Sequence, residues 1–169
     1  MSRTLEEILQ WATEETFASM AFMLPVEGAE ADARPGDRTI VRVVFRGPFS
    51  GTLELAVQPE MLPALAGNML GLDPGQTPTD AQQIDAVKEL ANIVCGNILP
   101  EVGTPRDVFN VCEPRLVKGS QPGEADDDAP AARVSVCMDA GVVDLSLFLD
   151  ADARAQRAAR EGQSVTEPC

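Results

Sequence analysis

Histidine and tyrosine are absent from these 169 residues, and tryptophan occurs once. Without histidine there is no His-based triad and no imidazole general base. Four cysteines, Cys95, Cys112, Cys137 and Cys169, lie far apart and form no C-x-x-C pair. A zinc site would need an all-cysteine arrangement drawn from scattered positions, so no metal is expected. The cysteines read as reduced thiols, three of them serving as small buried hydrophobes. Positive charge is scarce, with 13 Lys and Arg against 27 Asp and Glu and a net charge of −14. A surface this acidic repels phosphate backbones and anionic lipid, which excludes nucleic acid and membrane surfaces as partners and favours one with a positive patch. Long apolar runs are missing too: no stretch approaches the roughly 18 residues of a membrane span. The opening MSRTLEEILQW carries two Glu in its first turns and no uninterrupted apolar core, so it is not expected to be a secretion signal. The expected location is the cytoplasm.

What is present is ordinary globular material, 44% hydrophobic and almost entirely aliphatic, with 4% aromatic residues. The length suits one domain with its own core. Thr4 to Glu7 forms a capping box that predicts a helix to about Met23, ended by Pro25. Within it Trp11, Phe17, Met20, Phe22 and Met23 read as the side facing the core. After a polar loop, 26–38, the segments 39–45 (TIVRVVF) and 51–58 (GTLELAVQ) predict a hairpin. Residues 59–70 predict a short helix that begins at Pro59 and stops near Gly71. DPGQTP is a linker, and Thr79 to Gln82 is a second capping box opening a helix that ends at Pro100. VFNVCEPRLVKG, 108–119, reads as an extended segment broken by Pro114. Residues 120–132 are an acidic loop, in which Asp126, Asp127 and Asp128 read as a solvated tip. Two strongly alternating segments, 132–139 and 141–150, predict a second hairpin. The fold class is α+β, an antiparallel sheet packed by long helices, over residues 1–150, followed by a polar C-terminal tail, 151–169.

The most informative stretch is DAVKELANIVCGN, Asp85 to Asn97. Asn92 costs the helix several tenths of a kcal/mol relative to Ala, and Gly96 about 1 kcal/mol. At about 100° per residue, Asp85, Glu89, Asn92 and Gly96 fall within a sector of roughly 60°. Ile84, Val87, Ala91, Val94 and Ile98 follow an apolar pattern on roughly the opposite side. The apolar side is expected on the sheet and the Asp/Glu/Asn/Gly line in solvent. A solvated face is the common reason for such a line. Asn and Gly are nevertheless poor choices for an inert face, where Lys, Gln or Ala would serve. Gly96 allows another molecule to approach closely, while two carboxylates beside a carboxamide can grip a lysine and hold a water.

The pattern Asp85-x-x-x-Glu89-x-x-Asn92-x-x-x-Gly96-Asn97 resembles the signature of the CheC/CheX/FliY chemotaxis phosphatases: Asp or Ser, then ExxN, then a nearby Gly-Asn. The order of elements over residues 4–150 is similar as well. Only one such site is present, because LEEILQWATEETFASM has no second ExxN, so the resemblance is to the one-site CheX-like members. It implies a CheC/CheX-like fold and hydrolysis of the aspartyl phosphate on a CheY-like response-regulator receiver domain. Asn92 would position the attacking water and Glu89 would contact the receiver's lysine, making these two the catalytic residues. Asp85 would extend the acidic contact and Gly96 would give clearance, as partner-binding positions, while Asn97 would be structural at the helix end. The resemblance also implies no cofactor of this chain's own, Mg²⁺ supplied by the receiver, and a homodimer. The alternative is a catalytically inactive CheX-like module that binds receivers or serves as an adaptor in a signalling or motility complex.

Overall fold

The computed structural model describes residues 2–28, 36–118 and 129–153. Most of the acidic loop and all of the tail beyond residue 153 lie outside the described residues. Helix α1, Leu5–Ala21, starts where Thr4 Oγ accepts from the Glu7 N–H at 3.2 Å and the Glu7 carboxylate accepts from the Thr4 N–H at 2.7 Å. This reciprocal pair satisfies two of the donors that every helix start leaves open. At the other end Phe22 turns left-handed, with φ 53°. The N–H groups of Phe22 and Met23 both donate to the Phe17 carbonyl, and the turn carries Met23 back into the core beside Phe17.

Strands β1, Thr39–Arg46, and β2, Gly51–Val57, form the first hairpin, in register from Thr39↔Val57 to Phe45↔Gly51. A single 3-10 turn, Pro59–Met61, leads into α2, Leu62–Leu70, which stops at left-handed Gly71 as its φ of 65° requires. Helix α3, Asp80–Val102, opens on the Thr79–Gln82 capping box. It does not end at Pro100, as the sequence reading expects, but runs two residues further. Proline removes only the bond to the Gly96 carbonyl, which is exposed and open to water. Buried Leu99 and Val102 hold the final turn against the core, and the Gly103 N–H bonds the Leu99 carbonyl at 2.9 Å.

The remaining strands are β3, Asn110–Val111, β4, Arg115–Val117, β5, Ala132–Met138, and β6, Gly141–Leu149. They complete a six-stranded sheet ordered β3-β1-β2-β6-β5, with β4 also on β1, and all named pairs antiparallel. Pro114, which lacks an N–H, lies between the two short strands that share the edge beside β1. The architecture is the expected α+β, helices over one face of an antiparallel sheet. Alternate strand residues, among them Val41, Val43, Phe45, Leu53, Leu55, Leu145 and Leu147, face the helices and form the core.

Two expectations about burial are corrected. Phe17 and Met23 are core residues and Trp11 packs partly against the core, but Met20 is 38% and Phe22 69% exposed. Helix periodicity places Phe22 on the wheel of α1, whereas the left-handed turn takes it off that wheel. Of the described cysteines only Cys95 is buried, while Cys112 and Cys137 are half-buried because they sit near the sheet's two edges.

Chain direction follows from two contacts. A Cβ at Gly103, just beyond α3, would meet the Phe109 ring at 3.2 Å, and that ring packs on Phe45 at the far end of β1. The chain leaving α1 instead bridges Pro25 to Met138, at the end of the sheet where Thr39 and Val57 lie. The two long helices are therefore antiparallel.

Candidate functional site

The helix pattern of α3 sorts its residues as the periodicity demands. Val87, Ala91, Val94 and Ile98 are buried and Ile84 half-buried, whereas Asp85, Glu89 and Gly96 are exposed on the outer side, beside half-buried Asn92. From Asp85 to Gly96 the line is about 16 Å long at 1.5 Å per residue. Among the described residues, no side chain hydrogen-bonds or ion-pairs with the side chains of Asp85, Glu89 or Asn92. Their donor and acceptor capacity faces outward unused. A Cβ added at Gly96 would meet nothing within 4 Å. No helix or loop among the described residues therefore requires glycine there for packing. Because Pro100 carries no N–H, the Gly96 carbonyl is also left without its helical donor.

Asn97 behaves differently from its neighbours. Its Nδ2 donates to the buried Thr16 Oγ1 at 3.1 Å, tying the middle of α3 to α1. Asn97 is thus structural, as expected, although it lies well inside the helix. Thr16 is the partner that sequence reasoning missed. Its signal is faint, since Asn97 stands about 100° around the helix from Gly96, at the rim of the polar line and toward a neighbour.

On the inner side of the same turn, burial pushes the Cys95 thiol up from its ordinary 9.0 to about 12. That makes it an unreactive core group rather than a nucleophile. No group of three or more Cys, Asp and Glu suited to a metal occurs among the described residues. Nor is any described helix long and apolar enough to cross a membrane. A surface cavity of about 510 Å³ lies elsewhere, lined by Arg42, Val44, Arg46, Cys112 and Arg115 on β1 and the β3–β4 edge. The α3 line is not part of that cavity. The polar line, open over about three turns of α3, leaves its hydrogen-bonding groups to solvent or to another molecule.

A sequence model of the family described as chemotaxis phosphatase CheX matches residues 39–138. No curated protein sequence matches this chain. Among solved structures, a putative chemotaxis protein from Desulfovibrio vulgaris Hildenborough superposes with a TM-score of 0.63 at 18% identity, covering 85% of this chain and 94% of that one. The CheX of a CheX–CheY–BeF3–Mg²⁺ complex from Borrelia burgdorferi gives 0.60 at 15% identity, with coverages of 85% and 96%. Thermotoga maritima FliY gives 0.57 at 14% identity, with coverages of 92% and 96%. At such identities the superpositions establish a common fold.

Proposed function

This chain belongs to the CheX chemotaxis phosphatase family, and on that premise we propose that it hydrolyses the aspartyl phosphate of a CheY-like receiver domain. The observation that carries the reading is the outward, unpartnered Glu89–Asn92 pair, three residues apart on one line of α3. An acyl phosphate is already activated, so the enzyme needs neither a metal nor a nucleophile of its own. Mg²⁺ and the phosphorylated Asp come with the receiver. The Asn92 carboxamide accepts a hydrogen bond from water and donates one to a phosphoryl oxygen, and it does not titrate near neutrality. Water so placed attacks phosphorus in line as the bond to the carboxylate oxygen breaks. The products are a free Asp carboxylate and inorganic phosphate, with the water's second proton released to solvent. Glu89 forms a charge-assisted bond with the receiver's lysine and fixes the angle of approach. Asp85 extends that acidic contact, and bare Gly96 lets the receiver backbone come close. A homodimer in the cytoplasm is part of the same proposal, and sedimentation analysis reads the assembly directly.

The test is phosphate release from a phosphorylated receiver with Mg²⁺, comparing wild type with Asn92→Ala and Glu89→Ala. Wild type accelerates release, and Asn92→Ala loses on the order of 100-fold, the usual consequence of an unpositioned reactant. No acceleration over the receiver's own rate, across several receivers, sinks the enzyme reading in favour of a receiver-binding adaptor. An Asn92→Ala protein as fast as wild type removes the assigned mechanism even where activity is real.

A further inference from the structure

Large apolar side chains are exposed at six described positions, Met20, Phe22, Leu24, Val26, Leu70 and Val108. All but Val108 belong to the end of α1, the chain leaving it, or the end of α2. Asn68 Nδ2 donates to the Ala21 carbonyl at 2.7 Å, which holds the end of α2 against the end of α1. Exposed apolar side chains gathered in one region, unlike scattered ones, mark contact surfaces.

Phe22 stands out within this group on two independent counts. It is 69% exposed, and among the described residues it is the only non-glycine with positive φ. A left-handed helix end takes Gly or Asn readily, and a bulky aromatic residue badly. What the fold needs at this point is supplied by the backbone of Phe22 and by its neighbour: the two N–H groups on the Phe17 carbonyl and the Met23 side chain in the core. The Phe22 ring contributes to neither. A residue that opposes both its backbone conformation and its solvent environment is one whose use lies outside the isolated fold.

Its location bears on the α3 line. The Thr16–Asn97 bond marks a common level on the two antiparallel helices. Phe22 lies about 9 Å from that level and Asn92 about 7.5 Å, in the same direction along the helices, at 1.5 Å per residue. Packed helix axes are about 8–10 Å apart, so Phe22 sits roughly one helix width from Asn92. A specific interface covers about 800 Å² on each partner, a disc of roughly 16 Å radius. A protein seated on Asn92 therefore extends over Phe22.

We propose that Phe22, flanked by Met20 and Leu24, is an apolar anchor for the receiver domain, inserting into an apolar depression beside the lysine that Glu89 contacts. This rests on the function proposed above and adds to it a residue that binds the partner without taking part in hydrolysis. The charged line then supplies orientation and the aromatic ring supplies desolvated contact, the usual division between a polar rim and an anchoring side chain.

Phe22→Gly and Phe22→Asn put residues suited to the backbone at this position, so both variants are expected to melt at or above the wild-type temperature. Affinity is measured by titration against a receiver whose phosphoryl group is replaced by beryllofluoride with Mg²⁺, and KM and kcat from phosphate release. Both variants weaken binding and raise KM about tenfold or more while kcat stays within twofold, whereas Asn92→Ala lowers kcat. Unchanged affinity and KM in the folded variants overturn the anchor and leave the phosphatase reading intact. Receiver binding without hydrolysis by wild type removes the phosphatase reading, and the affinity ratio between wild type and Phe22→Gly still decides the anchor. A Phe22→Gly protein that changes oligomeric state at unchanged receiver affinity assigns this surface to a second copy of the chain, against the proposal.

Discussion

The outward line of α3 and the face of the sheet opposite the helices both carry polar groups, yet they treat those groups in opposite ways. On the sheet, register sets Arg115, Arg42, Glu54, Ser146 and Arg133 in one row across the strands. Arg42 donates twice to Glu54 Oε2, at 3.0 and 2.6 Å, and Arg133 donates to Ser146 Oγ at 3.3 Å. In the adjoining row Asp144 pairs with Arg38, which lies just before β1, at 3.2 Å, and accepts from Ser135. Glu54 is 2% exposed, and burying a carboxylate so deeply is costly unless it is hydrogen-bonded and paired. On α3 the equivalent groups meet solvent alone. Internally satisfied charges serve the fold, and under the function proposed above the charges left open serve another molecule. Chemically similar residues thus differ in role because of what surrounds them.

The largest expected effect probes the layer between the two surfaces. The unfolded Cys95 thiol loses its proton near 9, whereas the folded one keeps it to about 12. Above pH 9 the unfolded chain therefore binds fewer protons, and stability falls as pH rises. The slope is about 1.4 kcal/mol per unit, on the order of 4 kcal/mol over the window, and the contribution is fully present below pH 9. Denaturant titrations from pH 8 to 11 on wild type and Cys95→Ala check this. An equal slope in the variant shows that the inner side of α3 is not closed to water.

Next comes Asn92→Ala, with about a 100-fold loss of phosphate release, equivalent to about 2.7 kcal/mol, and thermal stability equal to or slightly above wild type. Arg42→Ala inverts that pattern. It leaves release unchanged but weakens the support of a buried carboxylate, costing about 2 kcal/mol of unfolding free energy. Were Arg42→Ala to lower the release rate and Asn92→Ala the stability, the contrast between the surfaces would be wrong. Smallest is Gly96→Ala, which gains up to about 1 kcal/mol of helix stability, since its Cβ meets nothing in the free protein. A simultaneous rise in KM locates the partner's close approach at this position.

Much of the fold and of the α3 line is legible in the order of residues alone. Both capping boxes, the stop at Gly71, the two hairpins and the outward placement of Asp85, Glu89, Asn92 and Gly96 follow from neighbours within one or two turns. The departures share a different origin. Local rules end α3 at Pro100, but Leu99 and Val102 are held by the core on either side of it. Helix periodicity puts Phe22 inside, but a backbone turn that no spacing rule encodes carries it out. Cys112 and Cys137 have the composition of core residues and the location of edge residues.

Local order in this chain, then, is a property of its residues in succession: periodicity, caps and turn formers act over one to four positions, where hydrogen bonds and steric limits leave few choices. Whether a side chain is covered depends instead on elements distant in the chain. The insertion of β6 between β2 and β5 and the antiparallel setting of α1 and α3 are of this second kind, as is the Thr16–Asn97 tether. Packing these elements left Glu89 and Asn92 open, closed Glu54 in, and left Phe22 in solvent at the end of α1.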